Sequence, residues 1–148
     1  AEYLKSQLKK IGINVTVRAA PDFPTWAGRV GGHDFEMSMD VVFNWGDPVI
    51  GVHRTYLCSN IVQGVIWSNT QSYCNEKVDE LLNAAAVELD MDKRKALYSE
   101  FQQIVAQDMP IYWINATPYH TAYDTRLQNV PVGIWGTMHP MDTVSWGE

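Results

Sequence analysis

Apolar residues recur at every second position along residues 35–43. Phe35, Met37, Met39, Val41 and Phe43 form one set, with Glu36, Ser38 and Asp40 between them. That spacing predicts a half-buried strand. The pattern stops at Asn44, Trp45 and Gly46. Asp47 and Pro48 then read as a helix N-cap followed by proline at the first helical position. A strand therefore feeds a short polar-aromatic loop, and the loop feeds a helix. In open α/β sheets, ligands gather at such loops, beyond the carboxyl ends of the strands. Asn44, Trp45 and Asp47 are the first candidate ligand contacts. Asp47 also reads as a cap alone, and Gly46 as a turn residue.

The rest of the chain alternates between the two periods. Residues 1–11 place Leu4, Leu8 and Ile11 on one helical face, and Gly12 is a natural stop. Residues 13–18 alternate again, with Ile13, Val15 and Val17 on one side, and predict a second strand. Residues 21–30 predict a short helix ended by Gly31 and Gly32. Residues 49–57 predict one or two helical turns. Residues 58–72 show no period. They mix Asn60, Asn69 and Gln71 with Ile61, Ile66 and Trp67. Long loops of this composition often carry function, so Asn60, Trp67 and Asn69 join the candidates.

Asn75 predicts the cap of a helix running to residue 89, with Val78, Leu81, Leu82 and Ala85 inward. Another helix starts at Asp90 or Asp92, turns Leu97, Phe101, Ile104 and Val105 inward, and stops before Pro110. Residues 111–115 read as a central strand with both faces apolar, and residues 119–123 as a further strand. From residue 126 onward Pro131, Gly133, Gly136, Pro140 and Gly147 interrupt every run. Trp135 and Trp146 make this tail too apolar for a solvated linker. The fold expected is α/β, a mixed sheet flanked by helices.

Composition narrows the function. The chain has 148 residues, 46% of them apolar, enough for one real core. The formal net charge is -6 and no basic patch gathers, which argues against a nucleic-acid partner. No apolar run is long enough to span a bilayer. No nucleophile with a base, no carboxylate pair and no phosphate loop has motif spacing, so neither catalysis nor a cofactor is expected. His33, His53, His120 and His139 show no ligand spacing with the cysteines, which leaves no metal site expected. Cys58 and Cys74 flank the long loop. A disulfide, two buried thiols and, less favoured, a metal site are all open readings. The chain opens on Ala1, Glu2 and Tyr3, already inside a helical pattern, and reads as a fragment or a processed chain.

The order LKKIGINVTV, then a strand ending in NWGDP, then YCNEKVDELLNAAAVELDMDKRKALYSEFQQIVAQDMPIYW resembles the C-terminal part of family 5 extracellular solute-binding proteins. These are the dipeptide, oligopeptide and nickel binding components of ABC importers. The most specific stretch is residues 73–113, where Met109 stands in place of the usual alanine. The resemblance implies one lobe of a two-lobed periplasmic binding protein (type II, cluster C-like). Residues 1–125 would form most of the ligand-binding lobe, and residues 126–148 would return toward an N-terminal lobe. It further implies a periplasmic or extracellular location, a joined Cys58–Cys74 pair, a peptide or similar small ligand, and a membrane permease as partner. In peptide-binding members a carboxylate in this loop pairs with the ligand's amino terminus. The matching position here is Asn44, so either Asp47 takes the role or the ligand carries no amine there. A structural or signalling module that keeps the fold, and an enzyme without a recognisable motif, are the readings from other classes.

Overall fold

A computed structural model describes residues 1–43, 45–116, 118, 120–133 and 135–147. Helix α1 (Glu2–Lys9) ends in a Schellman turn. Gly12 (φ 87) donates to the Lys9 carbonyl, and Ile13 donates to the Leu8 carbonyl at 3.0 Å. Helix α2 (Phe23–Gly31) starts where the Asp22 side chain accepts the Thr25 N–H at 2.8 Å. It closes in the same type of turn, this time with His33 (φ 57) in the left-handed position. Two single-turn helices follow, α3 (Pro48–Gly51) and α4 (His53–Tyr56). Helix α5 (Glu76–Val87) is capped by Asn75, and α6 (Met91–Asp108) by Asp90. Met109 ends α6 in a left-handed conformation (φ 45) before Pro110.

The core lies in the second half of this series. Helices α5 and α6 form a hairpin, and Lys77 on α5 reaches Glu100 on α6 at 3.3 Å. Val78, Leu81 and Leu82 from α5 meet Phe101 from α6 and Tyr56 from α4, all buried. Tyr56 and Phe101 pack edge to face at 5.1 Å. Leu97, Ile104, Val105 and Ile111 close around them, so the inward residues read from the helical period are those found inside.

The strands read from the alternation do not form a sheet among the described residues. Segments 13–18, 35–43 and 111–115 carry no ladder there. The one ladder described is a two-residue antiparallel pair, β1 (Leu127–Gln128) with β2 (Ser145–Trp146), which pairs Leu127 with Trp146. The expected strand at 119–123 lies partly outside the described residues. The physical reason is that alternation defines a face but supplies no partner. A strand's hydrogen bonds are all to another segment, and its stability depends on that neighbour. A helix satisfies its own backbone locally.

Cys58 and Cys74 are joined, with Cα atoms 4.7 Å apart. The loop between them is organised from inside by Asn69, which is fully buried. Its amide donates to the carbonyls of Leu57 (2.9 Å) and Tyr73 (2.6 Å), and its oxygen accepts the Tyr73 N–H at 3.0 Å. The loop is also strapped to the end of α2. Gly64 donates to the Gly31 carbonyl at 2.7 Å, and a Cβ on Gly31 would stand 3.2 Å from the Gly64 backbone.

Candidate functional site

The loop between the 35–43 segment and α3 begins with a tight reversal. The Asp47 N–H donates to the Trp45 carbonyl at 3.2 Å, and Gly46 between them has φ 88. This is the bond and the dihedral of a γ-turn, a strained form that glycine accommodates. It fixes the direction of Trp45 relative to Asp47. Asp47 then caps α3, accepting the Val49 N–H at 2.9 Å. Asn44, the other candidate in this loop, lies outside the described residues.

Asp47 has a second partner that the sequence did not indicate. Arg94 of α6 grips its carboxylate with two parallel bonds, Nη1 to Oδ2 at 2.9 Å and Nη2 to Oδ1 at 2.8 Å. The same guanidinium donates from Nε to the Ala85 carbonyl near the end of α5 at 3.0 Å. It also lies over the Tyr98 ring, 5.6 Å from its centre. The Tyr98 hydroxyl meets Nε2 of the buried His53 at 2.8 Å. The Arg94 hydrogen bonds, then the Val49 N–H, hold the Asp47 carboxyl below the usual carboxylate range. Burial pushes His53 below its ordinary value, which Asp47 opposes and Arg94 reinforces. Asp47 is therefore both cap and ion-pair partner, which disfavours it as a free carboxylate for a ligand cation.

Trp45 is half-buried in a column of rings. It lies nearly parallel to Phe43 (5.2 Å, 13°) and to Trp135 (5.0 Å, 9°). Trp135 comes from the unpatterned tail, and the tail's return to this loop was not legible in its composition. A tryptophan among glycines and prolines was the available signal.

The long-loop candidates divide. Asn69 is fully buried, with both amide donors and its oxygen engaged in holding the loop. Asn60 is half-buried and turned onto the His53 carbonyl at 3.4 Å, while its own carbonyl accepts from Ser68 at 2.7 Å. Trp67 is 39% exposed with φ 54. It packs with Phe23 (5.8 Å) and Trp26 (6.4 Å), not with Trp45. Beside Trp26 an apolar groove of about 320 Å³ runs between α1, α2 and the 35–39 segment, lined by Leu4, Leu8, Val17, Val30 and Phe35. Trp45 and Trp67 thus belong to two different aromatic groups. Among the described residues no three metal-ligating side chains converge, and no helix is long and apolar enough to cross a membrane.

Comparison with known proteins adds the functional direction. No protein-family model matches the chain, and no solved structure does. Curated relatives do. Over 139 residues, 88% of this chain, it is 27% identical to di/tripeptide-binding protein 2 of Pseudomonas aeruginosa strain UCBPP-PA14. Over 117 residues, 75% of this chain, it is 30% identical to di/tripeptide-binding protein 3 of the same strain and to a dipeptide-binding protein of another strain. The chain spans only 20% to 23% of the length of these relatives. All three relatives are named as binding proteins.

Proposed function

We propose that this chain is most of the ligand-binding lobe of a family 5 solute-binding protein. It would capture a peptide or a similar small solute outside the cytoplasm and deliver it to the membrane permease of an ABC importer. The observation that carries the reading is the similarity to dipeptide- and di/tripeptide-binding proteins along 75% to 88% of the chain. The Trp45 loop, held on a stapled helical core, supports it as a candidate contact surface. Residues 126–148 return toward the second lobe in this reading, with Trp135 meeting Trp45 on the way. The Cys58–Cys74 bond supports an oxidising compartment.

The exposed surface supports a two-lobed whole. The chain exposes 10914 Å², whereas a compact monomer of its mass would expose roughly 7,700 Å². Met37, Met39, Val41, Trp113 and Ile114 are among the residues left open. A second lobe and paired strands would cover such faces. The mechanism is capture by closure of two lobes about a hinge, with no covalent step. Asn44 in place of a carboxylate lets the ligand's neighbouring group be neutral or hydroxyl-bearing. This lobe alone supplies one wall of a cleft and is expected to bind weakly or not at all. Mass spectrometry of what co-purifies with the full-length protein, followed by calorimetric titration with di- and tripeptides, tests the reading. Failure of every peptide to bind, with no small molecule co-purifying, would sink it.

A further inference from the structure

We propose that Arg94 is a positioning residue: by clamping Asp47 it sets the place of the Trp45 ring column relative to the α5–α6 core. The inference rests on the reading of that loop as ligand-facing only for its effect on binding, not for its structural part.

Among the described residues the backbone on either side of the loop gives it little support. On its N-terminal side, segment 35–43 has no ladder among the described residues. On its C-terminal side, α3 has four residues, too few to hold itself by helix cooperativity. Arg94 is itself fixed. Its side chain is 18% exposed, its Nε is bonded to the Ala85 carbonyl, and its Cζ lies over the Tyr98 ring. Tyr98 in turn is tied to buried His53. A planar fork held at its base can present two parallel donors in one orientation only, which a lysine cannot do. Asp47 takes both donors, and the γ-turn through Gly46 passes its position to Trp45 within two residues. Trp45 then sets its contacts with Phe43 and Trp135.

The test separates the clamp from the cap. Asp47→Ser keeps an N-cap side chain but is too short to reach Arg94. Arg94→Gln removes the fork and leaves the cap. Arg94→Lys keeps the charge without the fork, and Trp135→Leu marks the signal of Trp45 without its indole partner, still stacked on Phe43. Near-ultraviolet circular dichroism of the full-length protein reads the stacked indoles, with thermal melting alongside. Asp47→Ser and Arg94→Gln should each shift the indole signal toward that of Trp135→Leu, the double variant should go no further, and Arg94→Lys should restore only part. If the site-forming position of the loop falls to about a tenth of the population, the dissociation constant for dialanine, the probe used, rises about tenfold. An indole signal unchanged in both Asp47→Ser and Arg94→Gln, whatever the melting temperature does, overturns the proposal. Failure of dialanine to bind the parent protein counts against the peptide reading, while the spectroscopic arm still decides the clamp.

Discussion

Residues 51–108 and the segments around them are built from similar proportions of apolar residues and end in different states. In the first region Val78, Leu82 and Ala85 are fully buried. In the second, Met37 is 60% exposed, Ile114 61% and Trp113 57%. The difference lies in where the backbone bonds go. Helices α5 and α6 close their own hydrogen bonds and bury their apolar stripes against each other, across a short connection, and against Tyr56 of α4. The 13–18, 35–43 and 111–115 segments need partner strands and two covered faces before their side chains gain anything. The Arg94–Asp47 clamp joins the two regimes.

The sharpest way to break this contrast is to cut into the core. Leu82→Ala should lower stability by about 2–5 kcal/mol, read by denaturant melting, because a fully buried side chain leaves a cavity. Opening the staple comes next. Replacing both Cys58 and Cys74 with serine frees a bridge spanning 16 positions, and the chain-entropy model puts the loss at about 3 kcal/mol. The melting temperature of that variant, compared with the oxidised parent, checks it. Asn69→Leu keeps the bulk but strands the Leu57 and Tyr73 backbone groups, at about 1–3 kcal/mol. A near-neutral result there would mean that the long loop belongs with the open segments and not with the core.

Acidity sharpens the comparison further. Burial holds folded His53 below its ordinary value of 6.5, so the unfolded chain takes up the proton first as pH falls. The contribution of His53 is complete above that value and is lost as pH drops from it through the folded value. Melting curves between about pH 7 and pH 5, above the carboxylate range, should show declining stability, with a shallower slope in His53→Gln. The smallest effect belongs to the open face. In the isolated 148-residue chain Met39→Ala, at 49% exposure, should stay within about 0.5 kcal/mol of the parent. A loss as large as that of Leu82→Ala would show that face to be packed in solution.

The sequence by itself determined the helices, their caps and their inner faces. Asp47 and Asn75 cap where the sequence places them, Asp90 takes the start that the sequence leaves open between Asp90 and Asp92, and Gly12 stops α1, because caps and helical stripes involve residues within a few positions of one another. It also marked the 44–48 loop as the place to look for a site. Only the tertiary structure decided that Arg94 grips Asp47 from 47 positions away, that Trp135 returns to Trp45, and that Asn69 faces inward to hold its own loop. Residue type and period carry no record of such distant partners. They are chosen by which packed elements bring two side chains within a few ångströms, and local preference is silent about that distance.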